Sequence, residues 1–352
     1  MKSKVRLLAA ALALLVLILP LAGCSATQPL VAYINKAGEV VILPNYVAGQ
    51  PFSEGQAAVR VGVSTYAYWG TINPQGENVL KAQYNDIRPL QEGLIAVQSG
   101  GKEDSPWVYL DAAGNQAIEG EFRDASVFVN GLAAVQQNIA PYLYGYIDKT
   151  GRMVLDYQFD LASEFAENGL AMFRDGGEQS GRCGFINTQG EVVIQPAYYY
   201  AGTFSEGYAV VKVSNSEDAA DWGFIDENGE LALGGQWAAA WSFADGLAPV
   251  AERQADGSLL WGYIDREGNW AIQPQFADAT VFSEGWAGVA VLQQVEGQEQ
   301  PVERWGYIDK TGAFVMQPRF QSCGQFVDGL APVVMTDEET SQYTGGAARQ
   351  SK

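Results

Sequence analysis

The stretch WGYIDREGNWAIQPQFADATVFSEGWAGVAV, residues 261–291, recurs eight times along the chain. The position of Trp261 is filled in turn by Val31, Trp69, Trp107, Tyr144, Cys183, Trp222, Trp261 and Trp305, in steps of 38, 38, 37, 39, 39, 39 and 44 residues. A fixed period near 40 residues is the mark of a repeat architecture, in which each unit buries its apolar face on the next. No other feature restricts the fold as much.

One copy is enough to assign the class. Trp261-Gly262-Tyr263-Ile264-Asp265 mixes aromatic and β-branched residues with polar ones, a composition that suits a strand. Asp265 and Gly268 bracket a tight turn, and residues 269–273 return as a second strand. Pro274 has no N–H to donate and is expected to break that ladder. Phe276 and Phe282 supply core aromatics, and Glu284-Gly285 turns the chain into a third strand at 286–291. The unit is therefore three short strands and a connecting arm. Outside the N-terminal segment nothing has a helical period. The chain reads as all-β.

The array is out of phase at its ends. It begins with a WGYID-type strand, Val31 to Asn35, and finishes on a Val-rich strand, Leu330 to Val334. Elsewhere those two strand types are consecutive and pair. A closed ring, an eight-bladed β-propeller, joins the two orphans and removes both edges. An open β-solenoid is also permitted by the period, but solenoids carry distinct caps, and none is evident. With 47% hydrophobic residues and no linker between copies, residues 31–335 are expected to form one domain.

Lys2, Lys4 and Arg6 precede an apolar run over residues 7–19, and Leu21-Ala22-Gly23-Cys24 follows. A basic start, a short apolar core and small residues before a cut site describe a secretory signal, too short for a comfortable membrane span. The Leu-Ala-Gly-Cys ending resembles the lipobox of bacterial lipoproteins. That resemblance implies removal of residues 1–23, lipid (palmitate included) on Cys24, and anchoring to the cell membrane facing outside the cytoplasm. Residues 24–30 are then a short tether. At about 3.5 Å per extended residue they hold the body within roughly 20 Å of the lipid. An ordinary secretory signal with an incidental Cys24 is the alternative.

Loss of the signal removes three positive charges and no negative ones, leaving 18 Lys plus Arg against 41 Asp plus Glu. Such a body repels phosphate backbones, which excludes nucleic acid as a partner. Cys183 and Cys323 lie in copies three apart and are expected to be buried, unpaired thiols. A disulfide is the alternative in an exported chain.

The pattern Trp-Gly-Tyr/Phe-Ile-Asp/Asn-x-x-Gly, then Gln-Pro-x-Phe/Tyr, then Phe-Ser-Glu-Gly, resembles the WG-containing repeat family of bacterial proteins. It is cleanest at 222–229, 261–285 and 305–329. Ala32 and Val108 replace its Gly, and Lys81-Ala82 and Glu119-Gly120 replace Gln-Pro. The resemblance implies an all-β repeat scaffold and supplies no catalytic residue.

The chemistry available is narrow. There is no histidine, which removes Ser-His-Asp and Cys-His nucleophiles and His-based zinc sites. No phosphate-binding Gly loop is present. The turns beginning at Asp148, Asp226, Asp265 and Asp309 lack the alternating ligands of a calcium loop, and turn structure accounts for their Asp and Gly. A glycoside hydrolase needs only two carboxylates. Glu54, Glu92, Glu167, Glu206, Glu284, Asp245 and Asp328 recur in nearly every copy, however, which argues for a role in the turn. No enzyme activity, cofactor or metal is expected.

Tyr198, Tyr199 and Tyr200 break the usual spacing, and a strand-like run must turn at least one ring outward. Length varies at one equivalent point of the repeat, in the polar segments 98–106, 136–143, 174–182, 214–221, 252–260 and 293–304. In a repeat scaffold such insertions map to one face, often the binding face. Glu103, Asp104, Glu217, Asp218, Glu296 and Glu299 make these loops acidic and join the tyrosines as candidate binding residues. Residues 336–352 are polar and non-repetitive and read as a disordered tail. The expectations for function are a membrane-anchored, non-catalytic scaffold for an envelope protein, a glycan- or cell-wall-binding lipoprotein, and, most remotely, a carboxylate-pair glycoside hydrolase.

Overall fold

The computed structural model describes residues 29–62, 67–100, 105–214, 220–295, 297 and 299–343. Within them the chain forms eight four-stranded antiparallel sheets. The last sheet to begin, blade 8, runs from the inner strand Asp278–Ala279 through Trp286–Gln293 and Val302–Asp309 to the outer strand Phe314–Phe320. Each unit thus has four strands, not three. The extra one is cut from the connecting arm and in most blades is only two residues long, too short for any alternation to betray it.

Blade 1 is assembled from both ends of the chain. Ser322–Cys323 and Leu330–Val334 supply its inner half, and Val31–Asn35 and Val40–Tyr46 its outer half. Val31 lies opposite Val334 and Asn35 opposite Leu330. The two orphan strands pair, and the ring is closed; the open solenoid is excluded.

The blades repeat one set of contacts. Trp261, Tyr263, Ile272 and Phe276 of blade 7 pack against Ala279, Phe282, Val289 and Ile308 of blade 8. Equivalent clusters fill the other junctions. The tyrosine of the WGYID strand is buried and bonds outward from its own blade. Tyr33, Tyr109, Tyr146, Tyr263 and Tyr307 each donate to a backbone carbonyl 17 residues ahead, on the inner arm of the next blade, at 2.7–2.9 Å. The recurring glycine of that strand has a different cause. A Cβ on Gly262 would stand 2.5 Å from Ile272 O and 2.7 Å from Pro274 N, and Gly306 meets Met316 O and Pro318 N at the same distances. The outer strand bulges toward the third strand at this point, and only a hydrogen fits. Pro274 therefore does not end the strand: Trp270–Phe276 runs through it, beside a register shift on the outermost edge, where a missing N–H is tolerated.

The tail reading also needs correction over part of its length. Asp337–Tyr343 is a short helix. Glu339 N donates to Thr336 Oγ1 (3.3 Å), while Thr336 N donates to Glu339 Oε2 (3.2 Å), a reciprocal cap on the first turn. The signal segment 1–23 and Cys24 lie outside the described residues.

Candidate functional site

Antiparallel order sorts the connections onto two faces. One, the turn face, carries the tight turns: the Glu-Gly, Asp-Gly or Asn-Gly turn after each inner strand and the Asp-x-x-Gly or Asn-x-x-Gly turn after each third strand. The other, the loop face, carries the variable segments between second and third strands, the one-residue links between blades, and both ends of the ring at Leu30 and Met335.

On the turn face the recurrent acids are structural. Glu54, Glu92, Glu206, Asp245, Glu284 and Asp328 sit in the left-handed region, at φ 49–53°, each followed by a glycine at φ 74–90°. At five junctions the turn presents backbone N–H to the acid of the preceding blade. Glu54 accepts from Glu92 N (2.7 Å) and Gly93 N (2.9 Å), Glu92 from Gly131 N (3.0 Å), and Glu206 from Gly246 N (2.9 Å). Asp245 accepts from Gly285 N (2.7 Å) and Glu284 from Gly329 N (3.2 Å). Three of these carboxylates also pair with a cation of the next blade: Glu92 with Lys149, Glu206 with Arg266, and Glu284 with Lys36. Burial pushes the Glu92 carboxyl up, but Lys149 and the turn N–H groups outweigh it and hold the group below its ordinary range. The Asp-x-x-Gly turns are closed on themselves; Asp265 Oδ1 accepts from Glu267 N (3.0 Å) and Asn269 N (2.8 Å).

Pro51, Trp241, Val281 and Gln325, from four successive blades, line a cleft of about 20 Å³, room for a single water. Further round, Glu164 occupies the place held by Val281 in blade 8 and is 1% exposed. Its Oε1 accepts from Thr203 Oγ1 at 3.3 Å, and burial pushes its carboxyl up.

The loop face holds the residues singled out from the sequence, in unequal positions. Tyr198 ends an outer strand, Tyr199 is the link, and Tyr200 begins the next blade, so the three belong to two sheets. They form no open aromatic patch, and all are half-buried. Tyr198 Oη donates to Gly229 O (2.8 Å), Arg182 lies 5.8 Å over the Tyr199 ring, and Tyr200 packs on Trp222. Burial pushes the Tyr200 hydroxyl up to about 12. Glu299 is exposed. Glu103, Asp104, Glu217, Asp218 and Glu296 lie outside the described residues. Cys183 and Cys323 are buried free thiols.

Several variable segments are shorter than their sequence suggests. Strands reach Arg253 and resume at Leu259, leaving a turn, and the blade 8 hairpin extends to Gln293 and restarts at Val302. A one-turn helix, Gly177–Ser180, occupies another. One recess on this side was not foreseen. Tyr68, Lys81, Gln83, Tyr84, Ser99 and Gly100 line a groove of about 470 Å³ where blade 2 meets blade 3, a size suited to a small ligand. Its tyrosines sit at strand ends, and only their approach in space brings them together. Asp278, at the loop-face end of its strand, is pushed up to about 6 by burial, with nearby Glu303 contributing. Among the described residues no helix is long and apolar enough to cross a membrane.

The sequence matches the family described as WG containing repeat at 32–62, 69–102, 107–138, 144–178, 184–215, 222–253, 261–291 and 305–337. No curated protein matches it. Among solved structures the fold is similar to prolyl oligopeptidase B from Galerina marginata, at 10% identity and a TM-score of 0.52, covering 87% of this chain and 55% of that one. The chain thus spans about half the length of that enzyme. Likeness is lower to a eukaryotic initiation factor (8% identity, TM-score 0.44, 82% of this chain and 95% of that one). It is equally low to Kluyveromyces lactis Hsv2 (11% identity, TM-score 0.44, 81% and 100%). At these identities the likeness is one of fold alone.

Proposed function

The chain belongs to the WG containing repeat family, and from that premise we propose that it is a non-catalytic protein-interaction scaffold, held to the outer side of the cell membrane by lipid on Cys24. The observation that carries this reading is the division of labour between the faces. The framework and the turn face repeat from blade to blade, whereas the loops differ in length, composition and local structure and all project on one side. A rigid ring that varies only in one set of loops is suited to recognition. Five of the recurrent carboxylates, Glu54, Glu92, Glu206, Asp245 and Glu284, support the non-catalytic part, since they are engaged with N–H groups of the following blade. The partner is an envelope protein.

Cross-linking of intact cells that produce the native chain tests this. A defined protein adduct mapping to the loop face is the expected result. Retention of that adduct after two of the loops are replaced by Asn-Gly turns would rule the loop face out.

One observation favours a second reading, a glycan- or wall-binding lipoprotein. Tyr68 and Tyr84 share the groove between blades 2 and 3 with Lys81 and Gln83, and tyrosine rings beside hydrogen-bonding groups suit a sugar ring. Adducts to polysaccharide alone, displaced by free sugar and lost in Tyr68→Ala, would establish it in place of the first.

A further inference from the structure

We infer that the loop face rests against the lipid bilayer, touching it through Val61, Ile139, Val213 and Leu292. The inference builds on the anchored reading above and assigns the face that anchoring turns toward the membrane. Three observations carry it.

The first is topological. Val31 starts the third strand of blade 1 at its loop-face end, opposite Val334. Any tether running into Leu30 therefore arrives on the loop face. Only residues 25–30 separate Cys24 from Val31, about 20 Å of extended chain, too short to pass around the ring and present the turn face instead.

The second is the placement of exposed apolar side chains. Ile139 is 71% exposed, Leu292 63%, Val213 48% and Val61 39%; Ile139 lies in a loop-face segment and the other three at or just past the loop-face ends of second strands. The remaining large exposed apolar residues include Val192 and Leu231, at the turn-face starts of outer strands, and most of the others stand one residue further along such strands on the rim of the ring; among the described residues the tight turns themselves carry none. Nor does Ile139 sit in a slack loop. Gln137 N donates to Leu143 O (3.0 Å), Tyr142 N to Ile139 O (3.0 Å) and Asn138 Nδ2 to Glu121 O (2.6 Å). Arg123 covers the Tyr142 ring at 4.2 Å. Leu292 stands on the extended blade 8 hairpin, opposite Glu303. A braced loop and a strand hold these side chains in water, where an apolar group gains nothing unless something covers it.

The third is their distribution. Val61, Ile139, Val213 and Leu292 belong to blades 2, 4, 6 and 8. A protein partner is gripped by anchors clustered near the centre of one patch. Four tips on alternate blades, spread around the whole ring, instead match a broad flat surface. The body left after loss of residues 1–23, with 18 Lys plus Arg against 41 Asp plus Glu, opposes anionic headgroups, so the surface it suits is a zwitterionic one. A protein partner read by the polar parts of these loops then has to lie at membrane level.

The test uses Ile139→Cys, Leu292→Cys and, on the turn face, Thr150→Cys, each labelled with a thiol-reactive fluorophore; Cys183 and Cys323 are buried and stay unlabelled. Each lipidated chain is placed on phosphatidylcholine vesicles carrying a nitroxide headgroup. The labels at 139 and 292 are expected to be quenched at least about twofold more than the label at 150, as for groups held at the headgroup boundary. Equal quenching at all three, or stronger quenching at 150, would overturn the inference. A parallel set, with a histidine tag in place of residues 1–24 on nickel-chelating vesicles, reads the face without lipid on Cys24. The mass of the N-terminal peptide reads the lipidation by itself, so an unmodified Cys24 would remove the anchored reading while the tagged set still decides the face.

Discussion

At Gly262 a single hydrogen separates a blade that closes from one that does not. The facing carbonyl of Ile272 and nitrogen of Pro274 occupy the space a methyl group needs, and both belong to backbone that cannot swing aside. Gly262→Ala is expected to cost about 1–3 kcal/mol, the usual penalty for overpacking, read as a lower urea midpoint; an unchanged midpoint would mean that the bulge relaxes freely. Blade 3 shows the alternative arrangement. It carries Val108 at this place, and its outer strand has Gly120, at φ 124°, instead of a proline. A second residue makes a prediction about pH. Asp278 titrates near 6 in the fold and at the ordinary 3.8 when unfolded. The folded state therefore binds the extra proton between those values, and stability falls as pH rises through that window. Asp278→Asn removes the penalty. It should be more stable than the parent at pH 7, by at most about 3 kcal/mol, and the gap should shrink as pH falls and vanish by about pH 3, below both values. A gap that persists at about pH 3 would place the cause in packing.

The unit that joins one blade to the next is the tight turn after the inner strand. In seven blades both of its central residues lie in the left-handed region, and that conformation aims the glycine N–H at the carboxylate of the preceding blade at Gly93, Gly131, Gly246, Gly285 and Gly329, joined by Glu92 N where the acceptor is Glu54. Glu284→Ala is expected to lower stability by about 1 kcal/mol, chiefly through the lost partner of Gly329 N, since the ion pair to Lys36 is half exposed. Faster amide exchange confined to the 327–330 turn would locate the effect; exchange that is unchanged there would refute the clasp. The recurrence of this acid, and its role in a turn, are legible in the sequence. Its partner is not: Glu54 and Gly93 are 39 residues apart, and nothing local marks the distance. The same limit hides the two-residue inner strands and the groove formed by Tyr68 and Tyr84. The Tyr198-Tyr199-Tyr200 run misleads for the opposite reason, because a local triplet is split between two sheets. The cap on the C-terminal helix, Thr336 with Glu339, was written locally and is the sort of signal that a search for strand periods passes over.

For the molecule as a whole, the phase offset between the two ends of the repeat array favours closure and leaves an open solenoid permitted; the pairing of Val31–Asn35 with Leu330–Val334 decides for the ring. Blade 1 makes the ring depend on both ends and on no single loop. Cleavage at the exposed turn around Asp256 and Gly257 is expected to leave a nicked chain that elutes as the intact one, since the strands on either side stay paired. Deletion from residue 330 onward is expected to give an expanded or associating product on the same column, because the edge of Val31–Asn35 loses its partner. A compact monomer from that deletion would show that the seven remaining sheets suffice. The seam also acts as a proofreading step. The strand that completes the first blade is the last strand of the repeat array to be synthesised, so a product terminated before residue 330 keeps an open, adhesive edge that only the closing strand makes inert.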